Sequence, residues 1–188
     1  KNKIKIDNLV LDKNFKINNI DKVNLLYNDK EGKKNNLEII KKKNNDYFVN
    51  GKSFNSNALI QNFINSSDKN DINIFSKNFN LNFKIDKVYL DKKHKVKHLK
   101  GNLFLKENQI EKANLEAFFN DKEKFKFTVN SNNETKVTTL FLDQAEPIVK
   151  QYKFIKGFEN GSLDFYSTKE NNESNSTLKI YNFRLKEL

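Results

Sequence analysis

The chain has 188 residues and a formal net charge of +11, with 36% hydrophobic and 31% charged residues. That length fits one domain or a piece of a larger protein, and the balance is poorer in apolar and richer in charged residues than a typical globular chain, so the expected core is thin or elongated. Its 17 Phe and 6 Tyr exclude a disordered chain, which is depleted in aromatics.

The segments alternate with a period of two, the mark of a half-buried strand. "KIKI" opens the chain with Ile4 and Ile6 on one face. The period turns helical in "SNALIQNFI", where Ala58, Leu59, Ile60, Phe63 and Ile64 form a stripe with Ser56 or Asn57 as N-cap. "FNLNFKI" puts Phe79, Leu81, Phe83 and Ile85 on one face and Asn80, Asn82 and Lys84 on the other, and "KFKFTV" repeats this with Phe125, Phe127 and Val129. "DQAEPIVKQYKF" predicts a second helix, with Asp143 as cap, Glu146 three residues on and Pro147 in the first turn. Alternation returns in "SLDF" (Leu163, Phe165) and "TLKIYNF" (Leu178, Ile180).

An internal repeat underlies these elements. "KIDNLVLDKNFKI" from Lys5 matches "KIDKVYLDKKHKV" from Lys84, an offset of 79 residues, and the same offset carries Phe48 of "YFVNG" onto Phe127. The expected organisation is a first unit over residues 1–71, a second over 72–156 and a hairpin over 157–188 that starts a third, all in one elongated antiparallel sheet. One-sided antiparallel strands keep one apolar face and one wet face.

Little in the chain suggests chemistry. Zero Cys removes disulfides and thiolate sites. His94 and His98, four apart on a strand, lie about 13 Å from each other, so they read as exposed strand or loop residues and not as a metal pair. Asp143 with Glu146 reads as helix capping, Glu107 with Glu111 as a turn, and Ser53 and Ser56 as turn and cap residues; an enzyme is not expected, and no cofactor is implied. The charge invites a nucleic-acid reading, but the chain has a single arginine, Arg184, where bidentate phosphate recognition favours arginine. Abundant Lys, Asn, Ile and Phe are also what an AT-rich coding sequence supplies. Specific nucleic-acid binding is therefore not expected, although a basic surface suits anionic lipid headgroups. No apolar run reaches the 18 or so residues of a membrane helix. Opening on Lys1 with no Met, the sequence reads as an excerpt or processed product whose anchor or leader lies upstream. The apolar stripe has two readings: a face covered by helices and a facing sheet, or an open concave surface.

The C-terminal part, from "DQAEPIV" to "YNFRLKEL", resembles the AsmA-like superfamily of diderm bacteria, in particular its YhdP-like members. Gly157, Gly161, Leu163, Phe165, Ile180, Asn182, Phe183, Arg184, Leu185 and Glu187 stand where that family has its "G-G-x-L-x-[FLV]" strand and a strand ending in "[IL]-x-[ND]-F-R-[LV]-x-[DE]". Upstream, Gly51, Phe54, Asn55, Ser56, Leu59 and Ile60 match the family's strand and helix motif. Asn160 replaces a usual glycine and Asn55 a common Asp; Asn tolerates positive φ and caps helices, so both roles survive. The resemblance implies a mainly β fold with short helices: an elongated, curved, taco-like β-groove. It further implies an inner-membrane anchor outside this sequence, a periplasmic location, phospholipid acyl chains as partners and a monomer. The groove-lining candidates are Phe79, Leu81, Phe83, Ile85, Phe125, Phe127, Val129, Leu163, Phe165, Leu178 and Ile180. The alternatives are a basic module for anionic membrane or nucleic acid, and a β-repeat scaffold with a packed face.

Overall fold

The computed structural model describes residues 2–58, 60, 75–107, 109–132, 134–152, 155–171 and 173–186. In chain order the strands are β1 (Lys3–Asp7), β2 (Val10–Leu11), β3 (Ile17–Asn19), β4 (Lys22–Asn28), β5 (Lys34–Lys41), β6 (Asp46–Asn55), β7 (Phe79–Tyr89), β8 (Lys95–Lys106), β9 (Gln109–Phe118), β10 (Lys124–Ser131) and β11 (Thr135–Leu142). Helix α1 (Glu146–Tyr152) follows, then β12 (Phe158–Glu170) and β13 (Glu173–Leu185). Eleven strands form one sheet in the order β1-β4-β5-β6-β7-β8-β9-β10-β11-β12-β13, which does not close into a barrel, and β2 and β3 form a separate small hairpin. The expected mainly β, open sheet is thus what the chain forms.

Within the eleven-strand sheet one pairing departs from the expected antiparallel pattern: β6 and β7 run parallel, with Val49 opposite Phe83. Parallel neighbours need a connection of a dozen or more residues, and residues 56–78 separate the two strands in sequence. Of the first predicted helix, Asn57, Ala58 and Ile60 are helical, and the Ile60 N–H donates to the Ser56 carbonyl at 2.9 Å. The rest, with Leu59, Phe63 and Ile64, lies outside the described residues. Ser56 begins this turn through its backbone, while its hydroxyl donates to the Tyr89 carbonyl and ties the turn to the end of β7.

The sheet has two ends. At the helix end lie α1, the Asp29–Lys33 turn and the β7–β8 and β9–β10 turns; at the hairpin end lie β2–β3 and the β5–β6, β8–β9, β10–β11 and β12–β13 turns. Helix α1 starts from Ala145, whose carbonyl accepts the Ile148 and Val149 N–H groups. Asp143 does not cap it, contrary to expectation: its carboxylate accepts the Lys124 N–H at 2.7 Å and pins β10 to the end of β11. Pro147 falls in the first turn, where its missing N–H has no helical partner to lose. The helix presses Val149 onto the sheet, and the densest packing gathers there: Leu142, Ala145, Val149, Phe158 and Leu163 are each at most 2% exposed. Phe158 also stacks on Phe183 of the edge strand at 5.5 Å. Gly161, at φ 83, permits this approach, since a Cβ there would sit 2.9 Å from Phe183 Cβ.

The turns explain part of the asparagine usage. Among the described residues, five of the eight non-glycine positions with positive φ are asparagines: Asn8, Asn44, Asn160, Asn171 and Asn182. Asn adopts this conformation more readily than other side chains. Two five-residue turns make the point sharply. Asp12–Lys16 and Asp29–Lys33 share one hydrogen-bond pattern, in which the leading carboxylate accepts backbone N–H groups two and four residues on. The left-handed position is Gly32 (φ 73) in one and Phe15 (φ 60) in the other, and Phe15 is 85% exposed. An L-residue with a Cβ is disfavoured there by about 1–2 kcal/mol. Phe15→Gly should therefore raise stability by about 1 kcal/mol, read as a higher urea midpoint at unchanged slope; a lower midpoint would show that the ring has a packing role.

Candidate functional site

Register assigns every strand residue to a face. Directly paired residues share a side, so the pairings trace one row across all eleven strands: Ile6, Val23, Ile39, Val49, Phe83, Gly101, Leu115, Phe127, Leu140, Phe165 and Leu178. Gly101 is its one residue without an apolar side chain. At φ 134 a Cβ there would meet the Asn114 carbonyl oxygen at 1.8 Å, so the close approach of β9 requires glycine. A second apolar row runs nearer the helix end through Leu25, Leu37, Gly51, Ile85 and Leu99, and through Ala117, Phe125, Leu142, Leu163 and Ile180 beyond a bulge in β8.

All eleven predicted lining residues lie on this face. Their surroundings differ. Ile85 (2% exposed) and Leu163 (1%) are packed into the core at the helix end, and Phe79 and Val129 are also buried. Leu81, Phe83, Phe125, Phe127, Phe165 and Ile180 are half-buried, and Leu178 on the edge strand is 46% exposed. Among the described residues, Val149 of α1 and Ile60 pack against the core, Phe75 packs on Phe79 at 4.5 Å, and the one other sheet is the two-stranded β2–β3. Sequence reasoning missed Val23, Leu25, Ile39 and Val49 on one side and Leu103, Ala113, Leu115, Leu140 and Leu142 on the other. "KANLEAF" and "TTLFL" do alternate, but Ala and Thr on the apolar face weaken the signal.

The opposite face is wet. Its corresponding row reads Lys5, Asn24, Glu38, Asn50, Lys84, Lys100, Glu116, Lys126, Phe141, Asp164 and Lys179. Acids interrupt the lysines: Lys22 meets Glu38 at 2.5 Å, and Lys100 and Lys126 both approach Glu116 at 3.9 Å. A continuous basic track is not formed on this face.

His94 corrects the expectation of an exposed residue. It lies half-buried in the β7–β8 turn, with Nδ1 2.7 Å from Asp91 Oδ2 and Nε2 3.7 Å from Glu146 of α1. His98 is exposed, at a bulge in β8. Among the described residues, no group of three or more His, Cys, Asp or Glu side chains could hold a metal ion, and no helix is long and apolar enough to cross a membrane. Asp91 also accepts the Lys93 and His94 N–H groups, which makes it the organiser of its turn, while His94 joins that turn to the helix.

No family model matches the chain, and no curated protein or solved structure is significantly similar to it.

The electrostatics of this tie have a direction. Burial works to raise the Asp91 carboxyl, but hydrogen bonds from His94 and Lys93 outweigh it and hold the group below the usual range. Burial likewise opposes ionised Glu146 and is overcome by the bond and charge of Lys150 and by His94. Both folded carboxyls are depressed, so their stabilisation is present above the ordinary values of 3.8 and 4.5 and is lost as pH falls through the folded ones. Asp91→Ala should cost about 1–3 kcal/mol at neutral pH and flatten the acid limb of stability against pH, as measured by urea unfolding from neutral to acid.

Proposed function

We propose that the chain is a segment of a lipid conduit, in which the apolar face shields phospholipid acyl chains as they cross an aqueous space. The observation that carries this reading is the apolar row that spans all eleven strands in register on one face, half-buried through its centre. Ordinary cores hide such a row, and monomers rarely leave so large an apolar patch exposed. Ten interstrand steps of about 4.8 Å extend it for roughly 48 Å. Transferring an acyl chain from water to an apolar surround is worth about 0.8 kcal/mol per CH₂, on the order of 12 kcal/mol for a 16-carbon chain. A continuous trough removes most of that barrier without a nucleophile or an energy source. The resemblance to the YhdP-like proteins supplies the setting, a β-groove between the inner and outer membranes of a diderm cell, anchored by a segment outside this sequence.

Replacing Phe83 and Phe127 together by Asp places two carboxylates in the middle of the row, where burying charge is strongly unfavourable. Solvent-extracted lipid per mole of purified protein, measured by mass spectrometry, should fall about tenfold or more. Leu178→Asp, on the exposed edge, should lower it less and leaves the core untouched. Wild-type protein without lipid, or full lipid content in folded variants, would sink the proposal.

A further inference from the structure

The apolar face changes character along its strands between β9 and β13. From the helix end toward the hairpin end, β11 presents Leu142, Leu140, Thr138 and Lys136, β12 presents Leu163, Phe165, Ser167 and Lys169, and β13 presents Ile180, Leu178, Ser176 and Ser174. The matching rim position of β10 is Ser131, opposite Lys136. Two apolar rows thus give way to hydroxyls and then to lysines. On β7 and β8 the same face stays apolar to its limit, with Phe79 opposite Leu105.

The two lysines are paired directly across β11 and β12 on the same side of the sheet. Like charges in directly opposed positions are destabilising, and neither lysine has an ion-pair partner among the described residues. Burial first, and the neighbouring Lys169 charge, hold the Lys136 ammonium below the ordinary lysine range, against the pull of Glu111. Beside them the Ser131 hydroxyl is buried without a hydrogen-bond partner, while Ser176 donates to Ser167 at 2.8 Å. Among the described residues of the fold, only the Glu111 charge offsets this arrangement, without forming an ion pair. An anion seated at the rim would pair both ammonium groups and give Ser131 a partner.

We infer that Lys136, Lys169 and Ser131 form a binding site for the phosphate of an anionic lipid headgroup, whose acyl chains lie on Leu140, Phe165 and Leu178 toward the helix end. This assignment rests on the conduit reading and adds to it a ligand class and an orientation. A free phosphate offers the same anion chemistry, and the experiment separates the two.

Binding of dispersed short-chain phosphatidylglycerol, of the matching diacylglycerol and of inorganic phosphate is measured by calorimetry on the wild type and on Lys136→Gln/Lys169→Gln. Phosphatidylglycerol affinity should fall about tenfold or more in the variant, diacylglycerol affinity should hold, and the melting temperature should not fall, since a like-charge pair has been removed. Unchanged phosphatidylglycerol affinity would overturn the site. So would wild-type binding of inorganic phosphate as tight as that of phosphatidylglycerol, which assigns the lysines to a free anion. Failure of the conduit reading looks different: the wild type then takes up no diacylglycerol.

Discussion

Each pair of neighbouring strands must hold its register, because a slip of one residue would carry that strand's apolar set to the wet face. Ten such registers stand in series between Ile6 and Leu178, and the row survives only if all of them hold. Cross-strand matching enforces this locally: Phe127 meets Leu115 on one side and Leu140 on the other, and a slip would put it opposite Asn114 or Glu116 of β9, or Thr139 or Phe141 of β11. Where the ladder breaks, it breaks in a way that keeps the face. The bulge between β5 and β6 lies at Asn36 and Leu37, beside Gly51, where a Cβ would run into Leu37 at 2.3 Å. The bulge in β8 lies next to Gly101. Glycine lets the backbones close over an irregular step, and the apolar residues resume on the same side.

The parallel pair β6–β7 meets the same constraint by another route. A hairpin fixes register through its turn, but parallel strands have none, so side-chain matching must do it. Val49 against Phe83 and Tyr47 against Leu81 provide that match, and the Tyr47 ring meets Phe79 edge-on at 6.2 Å. A polar latch closes the same region from the helix end. Asn35, fully buried, accepts the Asn55 N–H, and Asn55 in turn donates to Asp29 at 2.6 Å, which joins the β4–β5 turn to the end of β6.

How much of this was legible follows from what alternation encodes. Phe79 to Ile85 and Phe125 to Val129 declare their face because large apolar residues alternate with Asn, Lys and Thr. That a sheet face exists, and that the eleven chosen residues share it, could be read from period two alone. Depth could not, because Ile85, 2% exposed, and Phe83, half-buried, stand two residues apart on one face, and what packs over each comes from distant parts of the chain. The parallel pair was hidden for a related reason, since a helix after a strand fits both an end cap and a crossover. Aromatic content also misleads locally: Phe48, Phe104 and Phe141 lie on the wet face by register, and the repeat offset sets Phe48 beside Phe127, which lies on the other. Asp91, three residues before His94, was in plain view, but the contact with Glu146, 52 positions away in sequence, was not, and the lysine pair at the rim was invisible among many other lysines until register placed Lys136 opposite Lys169.

Both edges of the sheet carry the row to its limit. Ile6 on β1 and Leu178 on β13 belong to the same row, and because the β6–β7 pair is parallel while its neighbours alternate, these two edges run antiparallel to each other. An antiparallel strand added in register at either edge would therefore continue the row on the same face, with its helix end and hairpin end unchanged. Isolated sheets blunt their edges with charge, proline or short strands. Here β13 is 13 residues long and bears Leu178, Ile180, Tyr181, Phe183 and Leu185, the composition of a strand suited to further pairing. The length of the apolar track is thus a property of strand number, and its depth and rim chemistry are properties of each strand, so the two can be varied independently in a sheet built this way.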